Sequence, residues 1–281
     1  MPAPAAQLTC AGRSISLARP LVMGVLNVTP DSFSDAGAYL HAEAAIEHGL
    51  AMVRQGAAFI DVGGESTRPG AAPVSADEEL KRVLPVVQAL SSSAAIISID
   101  TSKPEVMAAA AAAGAGLIND VRALRAPGAL GAAQASGCAV CLMHMQGEPR
   151  TMQEHPHYRD VVAEVRDFLQ ARIEACRSAG IGPQQILIDP GFGFGKTLAH
   201  NLTLLRRLAE LTHLGVPLLA GLSRKSMLGK LTGRAAGERI HGSVALAVIA
   251  ALKGARIIRA HDVAATVDAL KVVAALEEEG E

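Results

Sequence analysis

The residues of this sequence that can do chemistry stand where short apolar runs end. Asn27 follows residues 22–26, and Gly63-Gly64-Glu65-Ser66-Thr67-Arg68-Pro69-Gly70 follows 59–62. Asp100 follows 96–99, Asn119-Asp120 follows 117–118, His144 follows 139–143, and Asp189 follows 186–188. Ser223-Arg224-Lys225-Ser226 comes after 218–220, and Arg259 with His261 after 257–258. Any one of these could cap a helix or make a turn, as Asp and Asn often do. Their recurrence at the same place along the chain points to a common site.

Charge sorts them into two sets. Asp100, Asn119 and Asp189 offer acceptors and an amide, suited to the edge of a flat heterocycle that carries an amino group and ring N–H donors. A carboxylate meets such an edge with two parallel hydrogen bonds, as it meets a guanidinium. Arg68, Arg259 and His261 offer donors to an anion, and Arg259 and His261, two apart, project to the same side of extended backbone. A ligand that joins a heterocycle to a phosphate group fits both sets.

Several other patterns invite a reading. Residues 191–197 imitate a nucleotide P-loop, but three residues rather than four separate the outer glycines, and Pro190 takes the place of the first one. The glycines instead let backbone approach a ligand. Cys138 and Cys141 make a C-x-x-C on a strand, where residues three apart face opposite ways, so two buried small hydrophobes are expected rather than zinc or redox chemistry. His144, His155 and His157 lack metal-ligand spacing, and surface or loop roles are expected. Asp61 and Glu65 could be acid/base groups or hydrogen-bond partners of loops, and residues 277–279 are expected as a solvated tail.

These side chains need a frame that brings strand ends together. The apolar runs are short and nearly continuous, as in strands buried on both faces. They alternate with helical stretches at 42–55, 76–90, 104–113, 158–179, 202–212, 238–253 and 263–276. Eight such strands, each followed by a helical or long connecting segment, predict a single (β/α)8 TIM barrel, an α/β fold whose active site lies at the C-terminal ends of its strands. No linker interrupts the series, so residues 1–281 are expected as one domain with its core at about 20–276. Residues 7–17 predict a short N-terminal hairpin on the barrel floor. A doubly wound open sheet is the structural alternative.

Composition agrees with a soluble intracellular protein. Half of the 281 residues (50%) are hydrophobic, enough for a large core, and the formal net charge of -1 gives no attraction to nucleic acid or to an acidic membrane. With no Trp, two Tyr and five Phe there is little for bases to stack on. No signal peptide is seen at residues 1–13, and the apolar run at 244–252 is too short to span a bilayer. Four Cys in a chain this long make no disulfide framework. A cytoplasmic protein is expected.

Six segments, in order along the chain, resemble the signatures of the dihydropteroate synthases of the pterin-binding family. They are Asn27-Val28-Thr29-Pro30-Asp31-Ser32-Phe33-Ser34-Asp35, residues 63–70, His144-Met145-Gln146-Gly147, residues 189–196, Ser223-Arg224-Lys225 and Arg259-Ala260-His261-Asp262-Val263. Ala36 departs from the family's usual Gly. The resemblance implies that Asp100, Asn119, Asp189 and Lys225 hold the pterin, with Met143 and Phe194 packed beside it. It implies that Asn27, Arg68, Arg259 and His261 face a pyrophosphate, with Asn27 also meeting Mg²⁺. Phe33, Thr67, Pro69 and Ser226 would lie on the p-aminobenzoate side, together with Phe194 and Lys225, and Phe33, Asp35 and Arg68 in loops that close over it. Asn27, Arg68, Lys225, Arg259 and His261 become the expected catalytic residues, and a homodimer formed through C-terminal helices is implied.

The implied reaction is condensation of 6-hydroxymethyl-7,8-dihydropterin pyrophosphate with p-aminobenzoate to 7,8-dihydropteroate and pyrophosphate. Mg²⁺, Arg259 and His261 would stabilise the departing charge. No protein nucleophile is required. One alternative is a related barrel that moves a methyl group from methyltetrahydrofolate, which would need Asp100, Asn119 and Asp189 but not the Arg259/His261 anion site. A barrel that binds pterin without catalysis is another, against which Lys225, Arg259 and Asn27 stand.

Overall fold

The computed structural model describes residues 7–29, 38–66, 73–148 and 151–278. Phe33, Asp35, Thr67, Arg68 and Pro69 lie outside them. The chain opens with a hairpin, β1 (Gln7–Cys10) and β2 (Arg13–Ser16), turned through Ala11 and Gly12 at φ 47° and 82°. Two successive positive φ values match the strand twist of a tight hairpin, and glycine relieves the second.

Eight parallel strands then close on themselves: β3 (Leu21–Asn27), β4 (Phe59–Gly63), β5 (Ile96–Asp100), β6 (Leu117–Asp120), β7 (Ala139–Met143), β8 (Ile186–Asp189), β9 (Leu218–Gly221) and β10 (Ala255–Ala260). The last strand pairs with both β9 and β3, which completes the barrel and rules out an open sheet. Around it run α1 (Ala38–Arg54), α2 (Ala76–Leu90), α3 (Pro104–Ala112), α4 (Ala129–Ser136), α5 (Val161–Ser178), α6 (Leu198–Arg206), α7 (Ser226–Thr232), α8 (Ile240–Leu252) and α9 (Val263–Glu278).

Alternation along the strands divides the apolar residues into two layers. Ile60, Ile97, Ile118, Val140, Ile188 and Ile258 point outward and pack under the helices. Met23, Phe59, Ile96, Leu117, Leu187, Leu219 and Ile257 point inward, where Leu8, Cys10 and Leu17 of the hairpin segment join them and seal the barrel floor. Two residues further along the same strands, the inward positions become Asp61, Ser98, Asn119, Asp189, Gly221 and Arg259. The apolar plug thus carries the polar layer directly above it.

Local differences from the expected elements have physical causes. The helix expected from 158 begins at Val161, because Asp160 caps it by accepting from the Val162 and Ala163 amides. The stretch expected as one helix over 202–212 is α6, capped by Thr197, followed by a 3-10 helix over Leu208–Leu214. Helices α4 and α7 were not anticipated. Glu277, expected in a solvated tail, lies in the last turns of α9 and accepts from Arg256 Nη1 at 3.0 Å.

Candidate active site

The barrel mouth is organised by a carboxylate that touches three strands. Asp61, fully buried on β4, accepts from Ser98 Oγ at 2.6 Å, Asn119 Nδ2 at 3.0 Å and Arg259 Nε at 2.6 Å. Arg259 reaches on to Asp100, with Nη2 3.0 Å from Oδ2. Asp61 therefore bonds to strand residues rather than to loops, and it sets the aim of two of the expected ligand-binding side chains. Its inward position two residues after Phe59 is the signal that could have placed it in the site.

Residue types alone separate a ring-binding set from an anion-binding set; the geometry joins them through Arg259. Burial, and then the neighbouring Asp61 charge, push the Asp100 pKa up from 3.8 to about 7, with Arg259 opposing. Burial works against the Arg259 charge, but Asp61 and Asp100 hold its pKa above the ordinary value. Asp189 accepts the Gly191 amide at 2.7 Å, and its pKa is raised by burial against the pull of that amide and of Lys225.

Lys225 Nζ stands 4.3 Å from the centre of the Phe194 ring, a cation–π contact. Burial lowers its pKa to about 8 while Asp189 resists. Phe194 packs against Val121, Met143, Met145 and Met152, which form an apolar wall. Asp100, Asn119, Met143, Asp189, Phe194, Lys225 and Arg259 line one cavity. Its lining joins carboxylates and an amide to a cation and an aromatic ring, a polarity that suits a flat heterocycle.

Asn27 ends β3 beside Gly63, where a Cβ on the glycine would lie 3.6 Å from Asp100 Cβ and 3.9 Å from Asn27 Oδ1. His261 follows β10, and its Nδ1 is 3.1 Å from Ser223 Oγ. Burial, then the Arg259 and Arg224 charges, lower the His261 pKa to about 4, so it is neutral at pH 7. Ser226 is exposed at the start of α7. The Asn119-Asp120 pair divides: Asn119 faces the site, while Asp120 accepts the Arg122 and Leu124 amides and shapes the next turn.

The turn after β8 shows why glycine is needed there. Gly191 has φ 68°, and a Cβ on it would fall 1.9 Å from the His144 carbonyl oxygen; one on Gly195 would fall 2.5 Å from that of Gln146. His144 follows β7 in the connecting segment, as the loop role expected, but it is buried rather than at the surface, because its ring packs edge-on to Phe168 and bonds to Lys196. His155 and His157 are exposed. Cys138 packs outside the barrel wall and Cys141 inside it, as their spacing predicts.

A family described as pterin binding enzyme matches residues 23–261. The chain belongs to that family. It is 56% identical over 270 residues to the dihydropteroate synthase of Escherichia coli (strain K12), covering 96% of each chain. A crystal structure of the Yersinia pestis dihydropteroate synthase with a sulfonamide drug complex superposes with a TM-score of 0.92 at 54% identity, over 97% of this chain and 99% of that one. The Xanthomonas albilineans enzyme in complex with 7,8-dihydropteroate gives 0.88 at 53% identity, over 96% and 98%. The activity of this chain is dihydropteroate synthesis, a transfer in folate biosynthesis. The methyl-transfer alternative falls with that finding.

Proposed function

We propose that the barrel mouth seats the pterin on Asp100, Asn119 and Asp189 and draws off its pyrophosphate with Arg259 and His261. The observation that carries this is Arg259 itself, one guanidinium shared by a ring-binding carboxylate and the buried Asp61. Held on two acids, it is fixed before substrate arrives, and the charge that develops on the departing pyrophosphate meets a donor that needs no reorganisation. Beside it His261, neutral in the free enzyme, can accept a proton as the anion charge grows. Lys225 and Phe194 cover the ring face, Met143 closes the slot, and the arylamine of p-aminobenzoate attacks the exposed methylene carbon. Ser226 and Lys225 flank the entry of that second substrate. Arg68, Phe33, Thr67 and Pro69 keep the roles that the family resemblance gives them.

Magnesium fits the donor set in a limited way. This hard cation keeps much of its water and takes one or two protein oxygens together with substrate phosphates. Among the described residues no cluster of three or more His, Cys, Asp or Glu is suited to holding a metal. Asn27 Oδ1 would serve as a single protein ligand, the rest coming from pyrophosphate and water. Bound there, the ion would neutralise leaving-group charge.

Two further assignments belong to this reading. Ile249 and Leu252 on α8, and Val272 and Leu276 on the adjacent α9, are large exposed apolar side chains, which supports a homodimer through these helices. Sedimentation at twice the chain mass is the expected result. The four cysteines are free, buried thiols, the state that a reducing cytoplasm preserves. Among the described residues no helix is long and apolar enough to cross a membrane.

The decisive assay follows pyrophosphate. Release from 6-hydroxymethyl-7,8-dihydropterin pyrophosphate should require both p-aminobenzoate and Mg²⁺. Release at the same rate without p-aminobenzoate would reduce the activity to hydrolysis.

A further inference from the structure

Lys196 is 3% exposed, and its amine is surrounded by uncharged acceptors; burial lowers its pKa to about 7, with the Asp189 charge opposing. Its Nζ lies 2.9 Å from the Gly191 carbonyl oxygen, 3.1 Å from that of Phe194 and 2.9 Å from His144 Nδ1. A longer contact of 3.5 Å reaches the His144 carbonyl, and the acceptors belong to two different segments, the residue after β7 and the turn after β8. Burial of an ammonium costs several kcal/mol. A turn that needed only fastening could be held by neutral groups, as Tyr158 Oη holds the Gly195 carbonyl at 2.8 Å and Asn201 holds the Gly193 amide at 2.8 Å.

What this cation grips leads straight to the ring-binding slot. The Gly191 residue that accepts from Lys196 through its carbonyl donates its amide to Asp189 Oδ1. The Phe194 carbonyl is on the same residue whose ring lies under Lys225. The Lys196 charge also acts favourably on the Asp189 carboxylate. His144 can accept because it stays neutral: burial and the Lys196 charge push its pKa down to about 2.

We propose that Lys196 is a positioning residue for the pterin ring, an internal amine that fixes the Gly191 amide on Asp189 and the Phe194 ring beside the slot by bonding both of their turn carbonyls and His144 together. The proposal rests on the activity described above. It predicts a loss specific to the ring half of the substrate, because the pyrophosphate half is held by Arg259 and His261, which Lys196 does not touch.

The test uses Lys196→Met, of similar length and without donors, with Lys196→Gln as the second variant should the first fail to fold. Calorimetry with 7,8-dihydropterin as one probe and Mg²⁺-pyrophosphate as the other separates the two halves without turnover. Ring affinity should fall about 10- to 100-fold, the range for removing hydrogen bonds from a charged donor, while pyrophosphate affinity stays within about twofold. In steady-state kinetics KM for the pterin substrate should rise more than kcat falls. Equal losses for both probes, or unchanged ring affinity in a folded variant, would overturn the proposal. Failure of the activity reading would show in the wild type; failure of this one would show only in the variants.

Discussion

Asp100 carries a pH signature that single-residue chemistry can read. Its pKa in the fold, about 7, lies above its ordinary 3.8, so the fold favours the acid form. The stability that this group contributes is therefore fully present below about pH 4 and is lost as pH rises towards 7, by up to about 1.4 kcal/mol per pH unit. Asp100→Asn cannot titrate. The stability of the wild type relative to this variant should fall between pH 4 and 7 and level off above, measured by urea unfolding at stepped pH. A flat difference would mean that the carboxylate is ionised throughout. At this scale the sequence was informative for Asp100, Asn119 and Asp189, which stand at or next to strand ends, and for Lys225, which lies in the Ser223-Arg224-Lys225 segment after β9. It was less so for Asp61 and Lys196. Their roles depend on partners 198 and 52 residues away, Arg259 and His144, and no local pattern announces such a contact.

Elements divide the labour between floor and mouth. Leu8, fully buried, joins the hairpin to the inward ends of the strands. Leu8→Ala should cost about 2–5 kcal/mol, the range for emptying a packed core position, yet leave both KM values unchanged, since the polar layer sits above the plug. Thermal unfolding and steady-state rates on the same preparation check both halves; a raised KM would show that the floor and the mouth are coupled. The barrel strands were legible because continuous apolar runs of this length fit buried parallel strands, and the hairpin because Ala11-Gly12 marks a turn between its two short strands. Helix α4 was not: ALGAAQAS, between Gly128 and Gly137, has no polar face to set a period. Helix α7 is hard to read because its seven residues include a central glycine, which weakens any helical signal.

At the scale of the whole molecule, the closed ring of strands and the plug beneath it make the barrel a cul-de-sac. Everything that enters must leave by the same doorway. Asn119 and Asp189, proposed to hold the ring, face inward on the strands, deeper than Ser226 on the rim; on those proposed roles the heterocycle would be first in and, as part of the product, last out. 7,8-Dihydropteroate should then inhibit competitively against the pterin substrate and not against p-aminobenzoate in initial-rate studies; competition against both would mean that the two enter independently. The packed layer of strand side chains, with the hairpin sealing its far end, thus becomes a traffic rule that turns the pocket above it into a queue.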